Sequence, residues 1–178
     1  MSRTVSKALG VVAFGALLAG CGVTQSVSDA TSATARSIFY KQVKTLHLDL
    51  NARTAMNTDG ADMNALSVPT LVRVYQLRDR KALDKAAYDG LLNHDDRLLG
   101  DALLGHKTLV VKPGEGALLG MPLDKDAQVV AVVALLREPD NQQNTWRLIL
   151  GRDELDPDRA RVIHLGDNRL TLQPLAED

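Results

Sequence analysis

From Val129 to Leu136 the chain runs Val-Val-Ala-Val-Val-Ala-Leu-Leu without a polar residue. A strand of that composition has no side to offer water, so it belongs in the interior of a sheet covered on both faces. The other candidate strands are shorter or alternate. Leu46, Leu48 and Leu50 alternate with Thr45, His47 and Asp49, which predicts a strand from Val43 with one buried face. Val68-Pro69 opens a strand over Thr70–Leu77, apolar on both sides. His106–Val111 is another, stopped by the turn Lys112-Pro113-Gly114. Trp146, Leu148 and Leu150 share one face, and Val162–Leu165, Gly166-Asp167-Asn168 and Leu170–Leu175 read as a hairpin. Past Val43, helical spacing is confined to one place. Asp79 can cap a helix to about Leu92, with Leu83, Ala86, Ala87 and Leu91 on one face. Asp95 or Asp96 can cap a second, ending at Gly105, with Leu98, Leu99, Ala102 and Leu103 inward. The pattern predicts a mainly β, two-sheet sandwich of about seven or eight strands, with a short helical insertion after the second strand.

The N-terminus does not belong to that domain. Arg3 and Lys7 precede an apolar run from Ala8 to Ala19, followed by Gly20-Cys21. A spanning helix needs roughly 20 apolar residues, so this run is too short and reads as a secretory signal over residues 1–20. Leu18-Ala19-Gly20-Cys21 resembles the bacterial lipobox, whose cysteine takes a diacylglyceryl thioether before cleavage. Cys21 is the chain's one cysteine, so no disulfide competes for it. Each buried methylene contributes about 0.8 kcal/mol, and two or three acyl chains would make detachment negligible. Gly22 stands where aspartate is a retention signal for the inner membrane in enteric bacteria, which points to the periplasmic face of the outer membrane. Residues 21–40 are rich in Ser, Thr, Ala and Gln. They read as an acylated cysteine and a tether with a root-mean-square span of about 20–25 Å, or with a short helix over Ala30–Tyr40. Residues 41–178 then form the domain.

Composition narrows the function. The formal net charge is −1, with both signs interspersed and aromatics at only 3%, so neither the basic stripe nor the stacking surface of a nucleic-acid binder is present. No Gly-x-Ser-x-Gly occurs, and His47, His94, His106 and His164 lack metal-ligand spacing. His94-Asp95-Asp96, with Asp101 nearby, reads as a loop and helix cap before it reads as a metal site. Asp124-Lys125-Asp126 and Asp153-Glu154 read as solvated loop charges, and Trp146 as core. The residues favour an interaction protein over an enzyme, with no catalytic residue, no metal, no small-molecule substrate and no cofactor beyond the lipid on Cys21. Asn51–Ser67 is the one long stretch without a period, about 17 residues, and such loops in small domains are usually functional or disordered.

Several segments in order resemble the TssJ (SciN) family, the outer-membrane lipoproteins of type VI secretion systems. They are Leu50-Asn51, a variable loop, Val68-Pro69, Val72-Arg73-Val74-Tyr75-Gln76-Leu77, the helical stretch with Leu83 and Leu91-Leu92, Lys112-Pro113-Gly114, Val129–Leu136 with Arg137, and Trp146-Arg147. The chain departs from the family in having Ala86, Ala87 and Tyr88 where a helical phenylalanine is expected. The resemblance implies a transthyretin-like sandwich and binding to the periplasmic C-terminal domain of TssM, an inner-membrane protein. It also implies that the loop between the first two strands makes that contact. In this chain the candidates are Arg53, Met56, Asn57, Asp59, Met63, Asn64 and Leu66. The apolar ones are adaptable groups on an accessible segment. The alternative is that Leu66 and one methionine pack the loop onto the sandwich. Alternative functions are another periplasmic assembly lipoprotein, such as a secretin pilot or barrel-assembly accessory, and a lipoprotein enzyme.

Overall fold

The structure, a computed structural model, describes residues 43–61 and 66–175. All of them lie in the compact unit Gln42–Asp178. The signal, Cys21, the tether with its alternative helix, Met63 and Asn64 lie outside the described residues. Eight strands are present among those described: β1 (Thr45–Ala52), β2 (Thr70–Leu77), β3 (Leu103–Val111), β4 (Gly116–Pro122), β5 (Val129–Leu135), β6 (Arg147–Gly151), β7 (Arg161–Gly166) and β8 (Arg169–Leu172). Helices α1 (Lys81–Asp84) and α2 (Tyr88–Leu99) are inserted after β2. The strands form two four-stranded sheets, ordered β4-β1-β7-β8 and β3-β2-β5-β6.

The alternation in β1 does what its period requires. Leu46, Leu48 and Leu50 are buried between the sheets, while Thr45, His47 and Asp49 keep partial exposure on the other face. β1 lies inside its sheet, antiparallel to β4 and parallel to β7. The apolar run becomes β5, between β2 and β6, buried from Val130 to Ala134. Its alternate residues Ala131 and Val133 face away from the other sheet, and the helices cover that side.

Short helices end in carbonyls that lack intrahelical partners. Here the sheet supplies the donors. Val133 pairs in register with Arg73 on β2 and Arg147 on β6, so the two arginines stand in one row beneath the helices. Arg73 donates to the Leu91 carbonyl at 2.7 Å and to the Asp95 carboxylate at 3.0 Å. Arg147 donates to the Leu83 carbonyl at 2.7 Å and the Ala86 carbonyl at 3.4 Å. Tyr75, two residues from Arg73 on the same face, donates to the same Asp95 oxygen at 2.8 Å. Burial, then the Asp95 hydrogen bond, pushes the Tyr75 phenol's pKa up, so it stays protonated as a donor. Trp146, in the turn just before β6, is fully buried, as expected of a core residue. Tyr88 meets it edge to face at 5.2 Å and donates to the Leu136 carbonyl at 2.6 Å. Tyr88 thus serves as the buried aromatic of the helical stretch. Gln76 points between the sheets, where its amide bridges the Pro122 carbonyl and the Asp124 N–H.

Several boundaries differ from the sequence reading. β4 carries no expected strand signal: Gly116 and Gly120 lack side chains, and Leu118 faces outward at 81% exposure. Its pairing with β1 over seven positions makes it an edge strand nonetheless. The first helix breaks at Lys85–Ala87, where Arg147 takes the freed carbonyls. α2 is two helical segments joined across a kink at the non-helical His94, which keeps the expected division between Leu92 and Asp95, but the Asp95 carboxylate turns to the sheet. Asp95 is therefore a partner of Arg73 and Tyr75, and not a cap. Leu103 opens β3, one residue beyond a short 3-10 turn at Gly100–Ala102, instead of closing a helix. The hairpin turn is as expected, with Asp167 and Asn168 both at positive φ between paired Gly166 and Arg169, while its second strand ends at Leu172 and not Leu175. Asp79 does accept the Lys81 N–H, at 2.8 Å.

Replacing Asp95 with alanine strips the Tyr75 hydroxyl and one Arg73 contact of their partner. The expected loss is about 1–3 kcal/mol, read as a lower urea midpoint with an unchanged slope. A midpoint equal to the parent's would mean the helices are held by apolar packing alone.

Candidate interaction surface

β1 joins two ends of the sandwich that differ in character. At its start, Val43 is buried and its carbonyl accepts from Arg152 at 2.9 Å. The same guanidinium donates to the carbonyls of Asp124 (2.9 Å) and Ala127 (2.7 Å), while Leu123 N–H donates to the Lys44 carbonyl. This end is a closed knot of backbone around one cation. None of it was legible from the sequence, because three distant segments must meet before Arg152 has its acceptors.

The other end gathers the loops. As the chain leaves β1, Arg53 N–H donates to the Leu165 carbonyl and the Arg53 carbonyl accepts from Gly114 in the β3–β4 turn. Asn57 then turns the chain at φ 48, a left-handed conformation that Asn tolerates. Its side-chain oxygen accepts from the Arg137 N–H at 2.7 Å, and its amide donates to the Pro69 carbonyl at 3.3 Å. Thr58 exchanges two bonds with Asn168 of the β7–β8 turn: Thr58 N–H to Oδ1 at 2.9 Å, and Nδ2 to the Thr58 carbonyl at 2.8 Å. Gly60 N–H reaches Glu138 Oε2 at 3.0 Å. The first half of the loop is thereby seated on both sheets.

Of the sequence-predicted residues, Met56 and Asn57 are turned inward, at 1% and 3% exposure, and support the loop. Arg53 is exposed and pairs with Asp167 at 3.3 Å; Asp59 pairs with Arg137 at 3.0 Å. Exposed pairs of this kind contribute little stability, so both side chains are available to a partner at low cost. Leu66 is 61% exposed. Thr58, Arg137 and Asn168 carry the seat, and of these roles the sequence hints at one alone, through the turn signal at Gly166-Asp167-Asn168.

The remaining polar groups have other occupations. His164 shares a hydrogen bond with Gln173 at 3.1 Å, and His94 sits exposed at the helix kink. Asp124 and Asp126 make a local turn, with Arg78 on Asp126. Among the described residues no cluster of three or more His, Cys, Asp or Glu is placed to hold a metal ion. No described helix is long and apolar enough to cross a membrane.

The fold and its loops have known counterparts. The family described as "Type VI secretion lipoprotein, VasD, EvfM, TssJ" matches residues 44–168. Among solved structures, a chain from one described as "Type VI membrane complex" is 43% identical, with a TM-score of 0.70 over 75% of this chain and 100% of that one. A chain from a structure described as "T6SS protein TssM C-terminal domain (869-1107) from EAEC" is 41% identical, TM-score 0.68, over 75% of this chain and 100% of that one. The type VI lipoprotein TssJ1 from Pseudomonas aeruginosa, at 24% identity and TM-score 0.60 over 75% of this chain and 98% of its own, shares the fold. No curated protein matches the chain. The match across seven of the eight described strands, from the start of β1 to the β7–β8 turn, makes this chain a member of the type VI secretion lipoprotein family.

Proposed function

We propose that the chain is held by an acylated Cys21 in the outer membrane, facing the periplasm, and that the loop after β1 binds the periplasmic C-terminal domain of TssM. In this role it tethers a trans-envelope secretion complex and carries out no chemistry. The observation that carries the reading is the seating of the loop. Asn57 and Thr58 lock its first half, and Leu66 stands out from its second half at 61% exposure. A pre-ordered segment loses little entropy on binding, and an exposed leucine beside it offers apolar area for a partner to bury. The solved relatives add the partner's identity. A chain 41% identical to this one, matched over its whole length, comes from a structure described by a TssM C-terminal domain. The seat at one end and the Arg152 knot at the other suit a protein that is held from its N-terminus and presents its loops away from that attachment.

Two outcomes test the two halves. Cys21→Ser should leave the domain folded while moving it from the outer-membrane fraction to the soluble periplasm, with secretion lost; unchanged fractionation would remove the lipid anchor. By calorimetry, residues 22–178 should bind the cognate TssM periplasmic domain at micromolar affinity or tighter. Leu66→Asp should weaken that binding by about tenfold or more, the scale of one interface anchor worth about 1.4 kcal/mol. Full affinity with Leu66→Asp would move the interface off the loop.

A further inference from the structure

We propose that β1 is a tension member: pull applied between the N-terminal attachment and the partner loop runs through the covalent backbone of Val43–Thr58 and leaves the packed sandwich unloaded. The idea rests on the reading above, in which the chain is held from Cys21 and the loop takes the partner. The geometry that supports it is independent of that reading.

β1 is already drawn out. A strand rises about 3.3 Å per residue against a limit of about 3.6 Å, so eight residues have only about 2–3 Å left to give. Its start is fixed by Arg152 on the Val43 carbonyl and by Leu123 N–H on the Lys44 carbonyl. Its end is fixed by Arg53 on Leu165, by Asn57 on Arg137 and Pro69, and by Thr58 on Asn168. Between the two it is paired on both sides, with β4 from Thr45 to Asn51 and with β7 from Leu48 to Ala52. Force favours unfolding only through the length that unfolding releases. When both points of load lie just outside the two ends of one taut strand, as Lys44 and Thr54 do for β1, that length is small. A pull that left through β8 would be different in kind. That edge strand is paired with β7 over only four positions, and its removal opens the sheet and releases most of the chain.

Optical tweezers on the full chain carrying Cys21→Ser test this, with DNA handles on Lys44→Cys and the exposed Thr54→Cys in one case and on Lys44→Cys and Leu175→Cys in the other. The expected result is that the first pair shows no unfolding step at forces at least about twofold above those that unfold the second, forced unfolding being set by the barrier along the pulled path. A step at the same force in both geometries would overturn the proposal. Arg53→Cys, also exposed and directly after β1, serves in place of Thr54→Cys should that variant not fold. The handles are covalent, so the result does not depend on the partner. Equal forces with TssM binding intact would sink the tension member alone. Unequal forces with no TssM binding would sink the proposed partner alone.

Discussion

β5 has no side that tolerates water, and most of the architecture follows from satisfying it. One face is met by the facing sheet through Leu46, Leu48 and Leu50 of β1. Each fully buried aliphatic side chain contributes about 1.5–3 kcal/mol, so leaving the opposite face bare would cost a large share of a domain's net stability. The helical insertion covers it, and in doing so brings exposed helix carbonyls over an apolar surface. Arg73 and Arg147, in register on either side of Val133, take up those carbonyls. Tyr75 and Tyr88 close the remaining gaps through Asp95 and the Leu136 carbonyl. The residues that make the sequence recognisable, Arg-Val-Tyr-Gln-Leu and Trp-Arg, are therefore largely those that fasten the helices to the sheet. They identify the fold and leave the binding surface to other residues.

That surface is built where the loops converge. With the β3-β2-β5-β6 sheet fastened to its helices, β1 is free to act as the axis between a closed end around Arg152 and an open end of loops. The family fixes what kind of protein this is, a type VI secretion lipoprotein. The two ends give a physical account of how such a protein can be held on one side and engaged on the other.

Periodicity carried the fold well where one rule dominated. The leucine alternation of β1, the apolar run of β5, the bounds of β2 and the Asp167-Asn168 turn are all visible as residue patterns. It failed where pairing overrode pattern: β4 is a strand because β1 offers it seven partners, although its glycines and outward Leu118 carry no period. The helix break follows the same logic: Arg147, which takes the Leu83 and Ala86 carbonyls, lies 64 and 61 residues away from them in a different element. For the site, the sequence marks out the loop but not which way its side chains turn. Met56 reads as an adaptable surface group and is buried, while Asn57 gives no hint of its positive φ or of its bonds to Arg137 and Pro69. Such roles depend on contacts between segments far apart in the chain, which no local pattern encodes.

Amide hydrogen exchange on the lipid-free chain, alone and with the TssM periplasmic domain, bears most directly on the account. Exchange should slow on binding across residues 59–69, and it should stay unchanged at Val43–Lys44, Leu123–Ala127 and Arg152. Protection confined to that second set, with the loop exchanging freely, would place the partner at the closed end and contradict the account.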